Sequence, residues 1–174
     1  MLGLYRYTDK EIKELLSALT VIVDTRENEI SHITSYFDAK KIPYTTKKLD
    51  VGDYSCLLPA NPGMGIVRDI FFPVAIERKS SLDELSGNIS GERARFESEL
   101  LRGREIVLTL LVEGGRYEDI IEHKYKTQFG EKAFMATLFS FKHRYGVDIQ
   151  FIGSKYSGLF IYQHLYYYVR NLLK

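Results

Sequence analysis

Almost no cysteine is present in this sequence of 174 residues, where Cys56 stands alone. A single thiol excludes an internal disulfide framework and a cysteine-based zinc site, and a reducing compartment is the simplest context for the chain. Histidine offers no alternative set of metal ligands. The four histidines show no ligand spacing, and we interpret them as structural or surface residues: His32, His123, His143 and His164.

Long apolar runs are also missing. No stretch approaches the roughly 18 consecutive apolar residues of a membrane-spanning helix, and the amino terminus lacks the basic, apolar and small-residue order of a signal peptide. We therefore expect an intracellular, cytoplasmic protein that does not bind a membrane. Neither a P-loop nor a G-x-G-x-x-G motif occurs, so a nucleotide cofactor is not expected.

An excess of charge of one sign is absent too. Lysine and arginine number 24 and aspartate and glutamate 23, which leaves a net charge of +1 at pH 7 with histidine neutral. This balance argues against a generally cationic surface for nucleic acid, although a basic face opposite an acidic one would give the same total. The hydrophobic content of 45% and charged content of 27% are ordinary for one domain with a real core.

Periodicity along the chain predicts helices and strands that alternate, which is typical of an α/β fold with a layered sheet. We expect an N-terminal helical extension over residues 1–19, with Thr8 and Glu11 in capping-box positions, and one domain over residues 20–174. The predicted elements of that domain are strands within 20–27, 44–58, 70–77, 106–115 and 147–153, and helices near 30–42, 82–88, 92–103, 134–145 and 157–173.

Three acidic residues occur where predicted apolar strands give way to polar sequence: Asp24, Asp53 and Glu77. A shared sheet could bring them to one rim, where carboxylates bind hard cations such as Mg²⁺ or Mn²⁺. Lys79 lies two residues beyond Glu77, so both side chains lie on one face of a strand. Its ammonium could position or help deprotonate a water, or stabilise charge on a phosphate. The constellation predicts metal-assisted phosphodiester hydrolysis.

Charged clusters at strand ends are also often solvated caps or ordinary ion pairs. For Glu77-Arg78-Lys79 alone, that interpretation is favoured. The combination of V-D-T-R-E at 23–27, G-D-Y at 52–54 and E-R-K-S-S-L-D at 77–83, each near a predicted strand end and in this order, favours a catalytic site instead.

At these residues the sequence resembles the nuclease domain of XPF-type structure-specific DNA endonucleases, a branch of the PD-(D/E)xK superfamily. The family pattern of Gly-Asp, a variable stretch, Glu-Arg-Lys, three residues and Asp is met from Gly52 to Asp83. The resemblance covers roughly residues 20–111. It implies a restriction-endonuclease-like central mixed sheet flanked by helices, and a divalent-metal-dependent endonuclease that uses Mg²⁺ or Mn²⁺ and acts on branched or single-strand-containing DNA.

Carried over to this chain, the resemblance implies Asp53 and Glu77 as the main metal ligands and as catalytic residues. Asp24 and Glu27 would be nearby acids that bind metal or orient water, with Asp24 also counted as catalytic, and Lys79 would be the catalytic lysine. Three supporting residues follow from the same motifs: Arg26, Arg78 and Asp83. We expect Arg26 to contact phosphate or brace the carboxylates. Asp83 would support Lys79 or a metal-bound water, with an ion pair involving Arg78 and Asp83 as the structural alternative.

The helix predicted at 92–103 contains several arginines. In the family a basic residue here faces the DNA backbone, which implies DNA contacts from Arg95, Arg93 and Arg102. Arg95 is preferred because its place before Phe96 resembles the family's Arg-Phe segment. The alternative is a solvated helix in which glutamates at 92, 97 and 99 pair with these arginines.

The last helix, near residues 157–173, is apolar on nearly all sides. We predict one broad apolar face that excludes Ile161 and Tyr168 and comprises Leu159, Tyr162, Leu165, Tyr166, Val169, Leu172 and Leu173. Because the family dimerises through this part of the domain, the resemblance implies a homodimer through the C-terminal helix. The alternative is a helix buried within the monomer.

Members of the family commonly have a tandem helix-hairpin-helix module after the nuclease domain, and the sequence ends without one. We therefore expect a stand-alone form, such as a bacterial or phage nuclease of DNA repair, recombination or mobile-element processing. Two other functions remain open: a catalytically inactive DNA-binding or scaffolding copy of the fold, and a small-molecule phosphohydrolase, which the missing nucleotide motifs disfavour.

Overall fold

The computed structural model describes residues 6–174, and the first five residues of the predicted N-terminal extension lie outside the described residues. Within this range the strands are β1 (Thr20–Val23), β2 (Tyr44–Thr46), β3 (Tyr54–Leu58), β4 (Ile70–Phe71), β5 (Val74–Lys79), β6 (Val107–Glu113) and β7 (Asp148–Ile152). The helices are α1 (Asp9–Ser17), α2 (Ser31–Lys40), α3 (Leu82–Gly91), α4 (Arg93–Arg102), α5 (Tyr117–Ile121), α6 (Glu131–Tyr145) and α7 (Ser157–Leu173). None of the helices in residues 6–174 is long and apolar enough to cross a membrane.

The strands form one mixed sheet in the order β2–β1–β3–β5–β6–β7, and β4 pairs with β3. Strand β1 is parallel to β2 and antiparallel to β3, whereas β6 and β7 are parallel. The predicted α/β fold with a mixed sheet flanked by helices is therefore confirmed. Contacts divide the chain into two compact units, so the predicted boundary between an extension and a domain near residue 20 stays a prediction.

The first unit contains the residues up to Leu49, Tyr54–Val74 and Gly158–Lys174. Its helix α1 begins with the predicted capping box, in which the backbone N–H of Glu11 donates to the Thr8 hydroxyl and the Glu11 carboxylate accepts from the Thr8 N–H. The buried face of α1 follows the helical period, and strands β1 and β3 are apolar and almost entirely buried. This core supports the strand end at Asp24.

Helix α7 buries one narrow stripe, which consists of Ile161, Leu165, Val169 and Leu173. The prediction that Ile161 lies outside the apolar face is wrong, and Leu159 and Leu172 remain 40% and 48% exposed. Residues four apart on a helix form a nearly continuous row, and the apolar side chains that α7 buries fully belong to this row. The remaining apolar side chains of α7 are half-buried or exposed.

The second unit contains residues 50–53 and 75–157. Strand β6 is buried from its second residue onward, and helices α3, α4 and α6 contribute aromatic and aliphatic side chains to one hydrophobic cluster. Phe96 and Phe141 meet edge to face with ring centroids 5.7 Å apart, an arrangement that favours a single packing geometry. This core fixes the position of β5.

The predicted strand over residues 70–77 is two strands, β4 and β5, separated at Phe72 and Pro73. Proline cannot donate a ladder hydrogen bond, which is why the strand is interrupted there. Strand β5 then continues through Lys79, and all six of its residues are buried. The Glu-Arg-Lys triplet therefore lies inside a strand, not beyond its end.

Candidate active site

Side chains alternate across β5, so Glu77 and Lys79 share one face and Arg78 belongs to the other. The Lys79 ammonium donates to Glu77 Oε1 over 2.8 Å. Arg78 Nη1 donates to Glu113 Oε2 of β6 over 2.9 Å, and both side chains are buried. One face of the strand thus bears an acid–lysine pair, while the other is held by an ion pair inside the second unit.

Asp53 is fixed against β5 by its backbone and its side chain. Its N–H donates to the Ile76 carbonyl over 2.8 Å, and its Oδ2 accepts the N–H of Arg78, also over 2.8 Å. These two bonds flank Glu77 in the chain, so Asp53 and Glu77 are neighbours. In the sequence interpretation Asp53 ended a strand; the structure places it immediately before β3.

Gly52 makes this close approach possible. Its φ is +74°, and a Cβ at this position would lie 2.9 Å from the Cβ of Ala75 and 3.1 Å from the carbonyl oxygen of Ile76. Only glycine adopts this backbone conformation without a steric penalty. The Gly-Asp pair of the motif therefore has a structural reason: glycine lets the chain touch β5, and the next residue delivers the carboxylate.

Lys79 is surrounded by acids. Burial alone would lower the pKa of Lys79, but the neighbouring carboxylate of Glu77, with further contributions from Glu84 and Asp53, raises it above the ordinary value. The ammonium also lies 5.1 Å from the ring centroid of Phe96, a cation–π distance. Lys79 is thus held as a buried cation next to Asp53 and Glu77.

Asp83, predicted to support Lys79, bonds elsewhere. Its Oδ1 accepts the backbone N–H of Lys126 over 2.6 Å, and its Oδ2 lies 3.7 Å from the ammonium of Lys126. The ion pair of Arg78 is formed with Glu113, so the alternative in which Arg78 and Asp83 pair is not seen either. In the structure Asp83 anchors the segment around Lys126 to the start of α3.

Glu84 is the residue that sequence reasoning missed. Its Oε1 lies 3.8 Å from the Lys79 ammonium, and its Oε2 accepts from the N–H and the hydroxyl of Ser80 over 2.8 and 2.7 Å. The Ser81 hydroxyl caps α3 by accepting the Glu84 N–H. The S-x-x-E pattern at 81–84 is a capping-box signature and could have drawn attention to this glutamate.

We expect Glu84 to act as a positioning residue for Lys79. Glu84→Gln keeps an acceptor for Ser80 but removes the charge, and Glu84→Ala removes both. If the charge matters for the DNA cleavage that the sequence resemblance implies, both variants should lower its rate constant by about 10-fold with unchanged DNA affinity. A purely structural role predicts full rescue by glutamine, so wild-type turnover of Glu84→Gln in single-turnover assays would contradict the expectation.

In the first unit, Asp24 follows β1 directly and is almost fully buried. Its Oδ1 accepts from Arg26 Nε over 2.6 Å, and its carboxylate also accepts the N–H of Leu49. Burial alone would raise the pKa of Asp24, but these hydrogen bonds and the Arg26 charge hold it below the ordinary value. Arg26 therefore braces a carboxylate, one of the two roles expected for it.

Glu27, the fourth predicted metal ligand, accepts a hydrogen bond from the hydroxyl of Tyr54 over 2.8 Å. Tyr54 is completely buried on β3, which agrees with a packing role. Both residues belong to the first unit. The convergence of Asp24 and Glu27 with Asp53 and Glu77 on one metal stays a prediction.

The second unit offers part of the donor set that a magnesium ion requires. Among residues 6–174, no group of three or more histidine, cysteine, aspartate or glutamate side chains could hold a metal ion. Mg²⁺ is nevertheless usually bound by one or two carboxylates, with waters and substrate phosphates as its other ligands. Asp53 and Glu77 provide two hard oxygen donors of this kind, so the residues fit such an ion.

Two of the three arginines of α4 pair with glutamates of the helix or of its N-cap. Arg93 Nε lies 2.6 Å from Glu97 Oε1, and the exposed Arg95 lies 3.4 and 3.6 Å from carboxylate oxygens of Glu92 and Glu99. Arg102, at the end of α4, is exposed. Exposed pairs of this kind contribute at most about 1 kcal/mol each, so a phosphate could replace the glutamate at little cost. Contact of these arginines with DNA stays a prediction.

The mixed sheet and the acid–lysine pair on the inner strand β5 define an α/β fold with a candidate active site. The sequence matches the ERCC4 domain family over residues 23–164. The chain therefore belongs to this family, and the predicted XPF-type nuclease domain is confirmed.

Two solved structures share the fold. One is XPF from Aeropyrum pernix, with 22% sequence identity, a TM-score of 0.61 and coverage of 88% of this chain. The other is XPF from Aeropyrum pernix in complex with DNA, with 21% identity, a TM-score of 0.60 and coverage of 87% of this chain. The chain spans 66% and 65% of the length of these two proteins. No curated protein matches the sequence significantly.

Proposed function

We propose that this protein is a divalent-metal-dependent endonuclease that hydrolyses phosphodiester bonds in DNA, with branched or single-strand-containing DNA as its substrate. The observation that carries the proposal is the buried Glu77–Lys79 pair on β5 with the partly buried Asp53 carboxylate beside it. Burial of Glu77 and Lys79 costs stability unless they pair, and a buried acid–lysine pair beside a second carboxylate is more typical of a catalytic site than of a structural core. Membership of the ERCC4 domain family supports the same activity.

Asp53 and Glu77 would hold Mg²⁺ or Mn²⁺, and the predicted roles of Asp24 and Glu27 as acids that bind metal or orient water belong to the same proposal. When bound, such an ion would polarise the phosphoryl oxygen and activate a water molecule as the nucleophile. The chain itself holds Glu77 against Lys79 and holds the Asp53 carboxylate with the N–H of Arg78. The Lys79 ammonium supplies positive charge to stabilise the negative charge that develops on the scissile phosphate.

The alternative is a catalytically inactive copy of the fold that binds DNA or serves as a scaffold. Glu77 and Lys79 are buried and paired beside the Asp53 carboxylate, and this favours an active enzyme. An inactive copy has no requirement for a buried lysine beside two carboxylates, because such a cluster adds little to the stability of a fold.

The test is a cleavage assay with purified protein on labelled DNAs: a single strand, a duplex, a flap, a fork and a four-way junction. Each is incubated with Mg²⁺, Mn²⁺ or EDTA. We expect metal-dependent nicking, with branched substrates cut faster than the plain duplex. Metal-independent binding without any cleavage would instead support the scaffolding alternative.

We further propose that Arg95, Arg93 and Arg102 bind the DNA backbone. All three lie on or at the end of α4, which follows α3 and the site strand β5 in the second unit. Arg102 has no carboxylate within ion-pair distance in the described part of the chain, so its charge is available to phosphate.

The role of such an enzyme would lie in DNA repair or recombination inside the cell.

We also propose a homodimer formed through α7. The surface of this helix has an open groove of about 430 Å³ whose lining includes Phe160, His164 and Tyr167. Tyr167 and Leu172 are 51% and 48% exposed. Exposed tyrosine and leucine side chains of this kind suit a protein interface. In a two-fold dimer the α7 surface of one subunit would cover the same surface of the other.

The dimer predicts that Tyr167→Asp combined with Leu172→Asp halves the mass seen by sedimentation at micromolar concentration. Both positions are exposed, so the fold should survive, whereas Val169 is fully buried and an aspartate there would unfold the helix. Ile121→Asp, at a position on α5 that is 60% exposed, is the matched control. A wild-type protein that sediments as a monomer would show that α7 has no such role.

A further inference from the structure

A lysine and a half-exposed phenylalanine meet on the surface of the first unit. The ammonium of Lys47 lies 4.0 Å from the ring centroid of Phe71. Phe71, on the short strand β4, leaves 50% of its surface exposed. The Lys47 ammonium thus contacts the Phe71 ring, while half of the Phe71 surface is still available to a ligand.

Backbone hydrogen bonds connect the segment that contains Lys47 to the end of β1 and to Asp24, the residue that follows it. The N–H of Lys47 donates to the carbonyl of Val23, the last residue of β1, and the N–H of Leu49 donates to the Asp24 carboxylate. Lys48 lies between these two bonds. Lys47 and Lys48 therefore occupy a segment that leads from the edge strand β2 to Asp24, one of the predicted site residues.

Neither lysine is neutralised. In residues 6–174 no carboxylate lies within ion-pair distance of Lys47 or Lys48, and both side chains are exposed. Other exposed cations of the chain, such as Arg93, Arg95 and Lys124, have glutamate or aspartate partners. Two unpaired cations that are adjacent in the chain, one of them against an open aromatic ring, are complementary to an anionic chain that also presents flat rings.

We propose that Phe71, Lys47 and Lys48 form a binding strip for single-stranded DNA, in which one base stacks on Phe71 and adjacent phosphates contact the two lysines. A single strand is favoured over a duplex because its bases have exposed faces, whereas the faces in a duplex are already stacked. The inference rests on the proposed nuclease function and deepens it. It assigns to the β2–β4 surface the recognition of the unpaired part of a branched substrate.

The test measures binding of a fluorescein-labelled oligothymidine and of a blunt duplex by anisotropy, with the full chain in EDTA so that no cleavage occurs. Phe71→Leu keeps apolar volume and removes the aromatic face, and we expect it to weaken single-strand binding about 5- to 100-fold. Phe71→Trp should retain the affinity. Lys47→Gln with Lys48→Gln should lower the slope of log K against log salt by about 0.7 for each phosphate that the protein no longer neutralises.

Lys10→Gln with Lys13→Gln, two exposed positions on α1, makes the same change in net charge and is the control for the lysine variant. Equal loss in this control, equal loss on the duplex, or wild-type single-strand affinity of Phe71→Leu would each overturn the inference. If the parent cleaves DNA with Mg²⁺ while Phe71→Leu binds normally, the strip fails and the nuclease proposal stands. If the parent neither binds nor cuts DNA, both fail.

Discussion

Glu77→Gln is expected to reduce DNA cleavage by roughly two orders of magnitude or more while the protein stays folded. Glutamine has the same shape and still offers an oxygen to the Lys79 ammonium, which lies 2.8 Å from Glu77 Oε1. It lacks the negative charge that a divalent cation requires from its ligand. The measurement is a single-turnover cleavage assay on the best branched substrate, with circular dichroism to confirm the fold.

Glu118→Gln is the matched control. It makes the same glutamate-to-glutamine change at an exposed position on α5, away from β5. It should cleave at the parental rate. A parental rate for Glu77→Gln would falsify the assignment of this residue, since no other position in the proposed site repeats its place beside both Asp53 and Lys79.

Lys79→Ala should lose cleavage to a similar degree but should also lose stability, unlike Glu77→Gln. Removal of the ammonium leaves the buried Glu77 carboxylate without the cation that balances it. An unpaired buried charge is strongly unfavourable. Thermal denaturation should therefore show a lower melting temperature for Lys79→Ala than for the parent, and the conservative glutamine variant of Glu77 gives the cleaner test of catalysis.

Glu113→Ala is expected to lower the free energy of unfolding by about 3–5 kcal/mol, the largest structural effect that we predict. Arg78 and Glu113 join β5 to β6 through a 2.9 Å hydrogen bond, and their side chains are only 6% and 4% exposed. Truncation of the acid leaves the guanidinium buried without its carboxylate. For a chain of this size the melting temperature should fall by roughly 6–20 °C, measured by thermal denaturation.

The double variant Arg78→Met with Glu113→Leu is the informative control. Both charges disappear together, and apolar side chains of similar length fill the space between the strands. Replacement of a whole buried pair is often neutral or stabilising, so the double variant should recover most of the stability that Glu113→Ala loses. If the double variant is as unstable as the single one, the loss comes from packing and not from the unpaired charge.

Much of the chain could be predicted because its signals are local. The Thr8–Glu11 capping box, the helix α6 and the final helix from Ser157 to Leu173 follow from spacing over a few residues. The same holds for the side-chain alternation that puts Glu77 and Lys79 on one face, since this depends only on the strand that contains them. Such features are set by backbone geometry and need no knowledge of distant partners.

The partners of the motif residues could not be predicted in the same way. Arg78 pairs with Glu113, 35 residues away, and Asp83 holds the N–H of Lys126, 43 residues away. Sequence spacing alone gives no reason to choose these acids over others. The choice is made by which strands and loops become neighbours when the core of the second unit packs.

Helix α7 shows the same limit for burial. Its sequence is apolar on several sides, and composition alone suggested a face that left out Ile161. The core accepts only one row of side chains, with Ile161 in it and Leu172 outside. The sequence by itself determined most of the elements, the motif and the chemical character of the site, because these depend on neighbouring residues. Only the tertiary structure decided which side of α7 is covered and which acids neutralise each cation, because burial and ion pairing depend on contacts between distant segments.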